Sequence, residues 1–312
     1  MKIAYFGLPL GAWLLHRAGY DLSVVVLSPV AAPGRWRVTR RLGEDKVLDF
    51  SRGAGDGDVS RALERHPVDL LLSWFWTQRL PERWLRLPPL GSYGVHPSLL
   101  PRHRGPDPYF AAIDAGDSIT GVTLHRLEAE YDTGEIIATE SLAVGERNAW
   151  QLARALDRPS LRLLLSAART AQHGVPLTGQ AQREEQASWA AEPVGDQLRV
   201  DWRWPTSRVL RRMRALSPVP GLALEIEGVD FFVIHAGAAP APALALEPGE
   251  AARVDDGLHI RTGDGAICIE RVLLAASEQW LSGAALVSLL AERGILQVSS
   301  KIAGWPTNPR KT

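Results

Sequence analysis

Short apolar runs alternate with amphipathic stretches through the first half of the chain, a rhythm that predicts a parallel sheet with crossover helices. Residues 2–7, 22–27, 68–74 and 91–96 are dense in aliphatic and aromatic side chains and predict strands. Their flanks at 58–66 and 81–87 carry helical spacing. From 148 to 173, Leu152, Leu156, Leu163, Leu164 and Ala167 recur as one helical face, and Pro159 predicts a bend or a restart. Over 176–200 the periodicity fades, which predicts a linker between domains at 1–175 and 201–312. In the second domain a helical stretch at 207–215 precedes short β-type runs at 222–226, 231–235, 257–261 and 266–272, separated by Gly- and Pro-bearing turns. That spacing predicts a small antiparallel barrel of the oligonucleotide-binding (OB) type. The expected fold class is therefore α/β, a Rossmann-like parallel sheet domain followed by an OB-like β-barrel.

Composition narrows this picture. At 312 residues the chain is long enough to bury two cores. Basic and acidic residues total 35 each, so any contact with nucleic acid has to come from a local patch rather than a global field. Such patches are visible at Arg35, Arg37, Arg40 and Arg41 around Trp36, and along Arg208–Arg214 with the 301–311 tail. Cys268 is the single cysteine and has no internal disulfide partner, so a reducing, cytoplasmic setting is expected. No apolar run approaches the ~18 residues of a spanning helix, and no membrane partner is expected. A monomer is expected.

The candidate chemistry lies at the end of the fourth apolar run. His96 follows β-type residues and precedes Pro97, which keeps it out of a helix. Asp132 sits in a turn, Glu130 to Gly134, well downstream. Taken singly, His96 suits a hydrogen-bonded core histidine and Asp132 an ordinary turn residue. Offered from two loops to one crevice beyond the carboxyl ends of the strands, they suit acid–base chemistry. The glycines at 7 and 11 lack the spacing of a dinucleotide fingerprint. His96, His103, Asp107 and His125 lie in one region, but without zinc-type spacing or a cysteine, so no metal is expected. Pro101 and Pro106 around His103 predict an exposed loop.

The string GSYGVHPSLLPRHRG at 91–105, GVTLHR at 121–126 and YDTG at 131–134 resemble the active-site region of the methionyl-tRNA formyltransferase family. The resemblance continues in FGLP at 6–9, GVPLTGQ at 174–180, RALSPVPG at 214–221 and TGDG at 262–265, in order along nearly the whole chain. GVTLHR is similar also to the sugar-amine formyltransferases. The resemblance implies a catalytic role for His96 and Asp132, with 10-formyltetrahydrofolate as co-substrate and initiator methionyl-tRNA as partner. It implies folate contacts from Ser98, Leu99, Leu100 and Pro101, and a pterin pocket lined by Trp76, Leu80, Glu128 and Tyr131. Ordinary core packing accounts for Trp74 and Trp76 equally well. The resemblance also places the basic loop, Arg35 to Arg41, against the acceptor stem of tRNA. One position departs from the family: its catalytic asparagine, a donor to the developing oxyanion, is Gly94 here. Losing one such donor typically costs ~10²–10³ in rate. Slow transfer, a formylfolate hydrolase, a sugar-amine formyltransferase and a catalytically impaired folate- or RNA-binding homologue stay open as alternatives.

Overall fold

In the computed structural model, which describes residues 1–242, 245–295 and 300–304, the first long apolar runs lie side by side in one sheet. Its strands are β1 (Lys2–Gly7), β2 (Asp21–Leu27), β3 (Val47–Asp49), β4 (Leu70–Trp74), β5 (Ser92–His96), β6 (Ile119–Arg126) and β7 (Ile136–Ala143), in the order β3-β2-β1-β4-β5-β6-β7. The pairings from β3 through to β5 are parallel, whereas β6 and β7 are antiparallel. β1, β2 and β4 are buried almost throughout, as continuous apolar strands covered on both faces must be. β7 alternates between half-buried and exposed positions, the signature of an edge strand.

Helices fill the connections: α1 (Pro9–Arg17), α2 (Arg35–Leu42), α3 (Asp56–Arg65), α4 (Glu82–Leu85), α5 (Pro108–Ala115) and α6 (Ala149–Ala171). One face of the sheet is closed by Phe6, Val24, Val59, Leu63, Leu71, Leu80, Trp84 and Leu85, with Phe50, Trp76 and Leu127 packed at its margin. The helix does not restart at Pro159, the residue expected to bend or interrupt it, but continues through it as one element. Burial of Leu152, Leu156, Leu163, Leu164 and Ala167 along one face compensates the backbone hydrogen bond that proline cannot make.

The chain divides into two compact units: Met1–Pro108 with Ile119–Ala143 and Ala153–Ala191, and Tyr109–Ser118 with Val144–Leu152 and Glu192–Thr312. Much of the stretch expected to be a linker therefore belongs to the first unit. Its backbone is tied there by mutual hydrogen bonds between Ile136 and Gln180, and between Arg104 and residues 188 and 190.

The second unit adds α7 (Thr206–Leu216), β8 (Leu222–Ile226), β9 (Val229–Ala239), β10 (Glu250–Val254), β11 (Gly257–Arg261), β12 (Ala266–Leu274), β13 (Trp280–Ser282), α8 (Gly283–Glu292), β14 (Ser300–Lys301) and β15 (Ala303–Gly304). All its strand pairs are antiparallel, in the order β14-β10-β11-β12-β9-β8-β15, with β13 beside β12. β14 and β15 stand at opposite ends of that path, yet Ile302 alone separates them in sequence. The sheet must therefore curl nearly closed, as a barrel does.

Candidate active site

β5 delivers His96 to the carboxyl end of the sheet. Pro97 cannot donate to the ladder, so the strand stops there. The imidazole is buried; Nε2 donates to the His103 carbonyl at 2.8 Å, and Nδ1 lies 3.4 Å from Asp132 Oδ2. The two residues singled out from sequence therefore meet. Asp132 lies in the turn between β6 and β7 with a positive φ of 57°, a conformation that aspartate tolerates better than most residues. Gly134 closes that turn, because a Cβ there would come within 2.1 Å of the Arg126 carbonyl oxygen. Asp132 Oδ2 also accepts the Gly105 backbone N–H at 2.9 Å, which joins the loop after β5 to the turn after β6.

A third titratable group stands in the same place. His125 is fully enclosed on β6, with Nδ1 donating to the Arg126 carbonyl at 2.8 Å and Nε2 3.6 Å from Asp132 Oδ1. Burial pushes this imidazole below its ordinary value, against the pull of the Asp132 carboxylate. The His96 and His125 rings meet nearly edge to face, with centroids 6.5 Å apart. His125 is paired in register with Gly94, and Thr123 with His96. A signal for His125 exists in the sequence: Thr123 and His125 are two apart on one strand, so they face the same side.

Gly94 does not leave an open space. A Cβ there would lie 2.7 Å from Leu127 Cδ2 and 3.7 Å from His125 Nε2. A leucine methyl and an imidazole thus border the position where the resemblance places an amide.

The Ser98–Pro101 turn is held by β6. Thr123 Oγ1 donates to the Ser98 carbonyl at 2.7 Å and accepts the Leu100 N–H at 3.1 Å, while Ser98 Oγ donates to the Arg102 carbonyl at 2.6 Å. Ser98 and Leu100 are buried, and Leu99 packs against Gly121, where a Cβ would meet its Cδ2 at 2.6 Å. The Leu100–Pro101 peptide is cis. His103, expected on an exposed loop, is only 7% exposed, because its N–H donates to Ser188 Oγ at 2.9 Å and the chain at 188–190 covers it.

That covering segment, without any period in its sequence, is a clamp. Gln182 Nε2 donates to the carbonyls of Asp132 and Gly134 at 2.7 and 2.8 Å, while its Oε1 accepts from Arg104 at 2.8 Å. Arg104 pairs in addition with Glu184. One amide thus holds the main chain of the turn at Asp132 and Gly134 and anchors the loop that carries Gly105.

The residues implied to line a pterin pocket separate into two groups. Trp74 and Leu80 are buried in the sheet's apolar packing, and Trp76 stacks edge-on against Phe6 and Phe50 with centroids at 5.4 and 5.0 Å. The indole N–H of Trp76 is nonetheless buried without a hydrogen-bond partner. Glu128 and Tyr131 are exposed on the turn after β6, whose Ala129 carbonyl accepts from Arg79 at 2.7 Å.

The basic stretch is the helix α2, and its arginines divide. Arg35 turns inward, to Asp49 at 2.5 Å and to the carbonyls of Ser28 and Val30, so it does not share the exposed surface. Arg37 lies over Trp13 and Arg40 over the exposed Trp36, while Arg41 donates to His16. In the second unit three of the arginines of α7 are engaged in ion pairs. Arg208 and Arg212 hold Asp114, and Arg214 holds Glu146. The 305–311 part of the basic tail lies outside the described residues. Among the described residues no group of three or more His, Cys, Asp or Glu is arranged to hold a metal ion, and no helix is long and apolar enough to cross a membrane.

Two family models match this chain: formyl transferase over residues 40–163, and formyl transferase, C-terminal domain, over residues 195–284. The chain belongs to the formyl transferase family. Its relatives include the methionyl-tRNA formyltransferase of Thiobacillus denitrificans, 34% identical over 69% of each chain. That of Alcanivorax borkumensis is 30% identical over 88% of this chain and 87% of its own. Among solved structures, HypX from Aquifex aeolicus in complex with tetrahydrofolic acid is similar in fold, with a TM-score of 0.68 at 22% identity. The match covers 95% of this chain and spans about half, 48%, of HypX. Membership of the family makes this chain a formyl-transferring enzyme in class, and the His96–Asp132 pair lies within the stretch matched by the first model.

Proposed function

We propose that the protein transfers a formyl group from 10-formyltetrahydrofolate to a primary amine, with the methionyl amine of initiator tRNA as its acceptor. The observation that carries this reading is the meeting of His96 and Asp132 at the carboxyl end of β5, in a chain similar across both its units to methionyl-tRNA formyltransferases. Cytoplasmic placement follows from that role.

The residues present fit a formylated reduced pterin. The unpartnered Trp76 N–H at the margin of an apolar wall suits a flat ring that also bears hydrogen-bonding atoms. Trp76, Leu99 and the backbone from Glu128 to Tyr131 would hold it, and the ordered Ser98–Pro101 turn would border it. When bound, it supplies an activated formamide carbon. In transfer, the acceptor nitrogen bonds to that carbon, the carbonyl gains oxyanion character, and the bond to the folate nitrogen breaks. The acceptor loses one proton and the folate nitrogen gains one, so an imidazole that takes and returns a proton balances the step. His96 is the group placed to do so. Asp132 orients it through Nδ1 and favours its charged form, whose Nε2–H would leave the His103 carbonyl to donate to the oxyanion. Arg37, Arg40 and Arg41, with Trp36 exposed among them, suit RNA phosphates.

A second reading follows from Gly94: with a leucine methyl in place of an amide donor, water rather than an amine would accept the formyl group, giving formate. Incubation with 10-formyltetrahydrofolate and charged initiator tRNA separates these readings. Tetrahydrofolate and formyl-methionyl-tRNA in equal amounts support transfer, formate without formylated tRNA supports hydrolysis, and a sugar amine formylated in its place would overturn the acceptor.

A further inference from the structure

Each imidazole at this site gives one nitrogen to a main-chain carbonyl, which accepts and cannot donate. His96 Nε2 bonds to His103 O and His125 Nδ1 to Arg126 O, both at 2.8 Å. Those nitrogens therefore carry the protons of the neutral rings. The remaining nitrogens, His96 Nδ1 and His125 Nε2, both point at Asp132, one to each carboxylate oxygen, at 3.4 and 3.6 Å. A neutral ring presents a lone pair to a carboxylate in that geometry, and a charged ring presents an N–H. Gly105 already donates to Oδ2, so Oδ1 faces His125 alone among the contacts described above. The enclosure of His125 leaves it no solvent route for exchange of partners.

We propose that His125 is a positioning residue of the formyl-transfer site: it divides the Asp132 carboxylate with His96 and so sets how firmly that carboxylate holds a proton on His96. The proposal rests on the formyl-transfer reading of the site and deepens it. With His125 neutral, the carboxylate charge serves His96 alone. With His125 charged, the carboxylate is shared and the two rings repel. Charged or titratable groups facing His125 are Asp132 from the turn, His96 from β5 and Arg104 from the loop after β5. Arg104 is fixed on Gln182 and Glu184, which leaves Asp132 and His96 as the groups that His125 meets directly.

Two substitutions fix the carboxylate in its shared and its undivided state. His125→Gln places a permanent amide donor where Nε2 stands, and so mimics the charged ring. His125→Asn keeps a donor for the Arg126 carbonyl but removes the nitrogen that faces Asp132. The expected result is an acid limb of kcat/KM for formyl transfer that moves to lower pH in the Gln variant, whereas the Asn variant follows the wild type until His125 takes up its own proton and lies above it in pH beyond that point. One unit of displacement changes the working fraction about tenfold on the acid side. The His96 ring resonance, titrated by NMR in the same folded proteins, is expected to move with the limb, and in the wild type to show a second inflection that both variants lack. Titrations of His96 that superimpose in all three proteins would overturn the proposal. Displaced titrations in a protein that formylates no amine would leave the cluster standing and sink the transfer reading instead.

Discussion

Two carboxylates illustrate the difference between a group built to hold and a group built to react. Asp114, in the second unit, receives Arg208 at 2.5 and 3.1 Å and Arg212 at 2.7 and 3.0 Å, so both oxygens are doubly satisfied. Arg212 donates further to the carbonyls of residues 196, 197 and 199, and both guanidiniums lie over Trp204. Burial pushes the Asp114 carboxyl up, but the hydrogen bonds from Arg212 and Arg208 outweigh it and hold it below its ordinary range. Arginine does not titrate in the working range, so this cluster has one state. Asp132, in the first unit, has one backbone donor and two imidazoles at 3.4 and 3.6 Å, loose by comparison and able to change charge where a guanidinium cannot. Tight pairing with permanent charges gives architecture, whereas loose pairing with switchable ones gives chemistry.

That contrast is sharpest in its consequences for substitution. His96→Ala is expected to lower kcat by about 10²–10⁴ while the thermal midpoint changes little, as steady-state formylation assays and calorimetry would show. Asp114→Ala should do the reverse. It leaves the buried Arg212 charge without its carboxylate and costs about 3 kcal/mol in denaturant unfolding, with the pH–rate profile unmoved. Gly94→Asn is the next smaller effect. Leu127 must shift to admit the side chain, so a loss of about 1 kcal/mol in stability is expected, and Leu127→Ala in the same chain should relieve it. Gln182→Ala frees the carbonyls of Asp132 and Gly134, and a fall of about tenfold in kcat is expected from the loosened turn, with KM for folate nearly constant.

Stability against pH gives a weaker but independent handle. The unfolded His125 binds protons more readily than the buried one, so stability declines as pH falls below about 6.5, the unfolded value. Asp114 contributes stability that is complete above about 3.9 and is lost as pH falls through its lower folded value. Thermal midpoints of the His125→Asn variant should therefore fall less steeply than those of the wild type as pH drops below about 6.5, and run parallel to them above. Parallel curves on the acid side as well would show that the ring is not buried neutral.

The strands that form the middle of the first sheet were legible because double-sided burial writes itself as unbroken apolar runs, as in β1, β2 and β4. The antiparallel β6 and β7 were not among the strands named from the sequence. β7 carries Thr139, Glu140 and Ser141 on an edge, and its alternation is too diluted to mark it as a strand. Pro97 and Gly134 advertise a strand end and a turn, but His96 and Asp132 could be named as a pair only from the collinear motifs around them, since each alone suits an ordinary structural role. Gln182 could not be named in that way. Its function depends on which carbonyls lie beneath it, and a clamp built from side-chain to main-chain hydrogen bonds leaves no period in the sequence. His125 was visible as a histidine but was weighed only as a metal ligand, since its pairing with Gly94 emerges only from the strand register.

The most direct test is formyl transfer to initiator methionyl-tRNA by the wild type and by Asp132→Asn, in single-turnover conditions with 10-formyltetrahydrofolate across the neutral pH range. The amide preserves the size of the side chain but not its charge. Loss of about 10² or more in rate, with folate binding retained, is the predicted result. Asp132→Asn that transfers formyl groups as fast as the wild type would contradict the account.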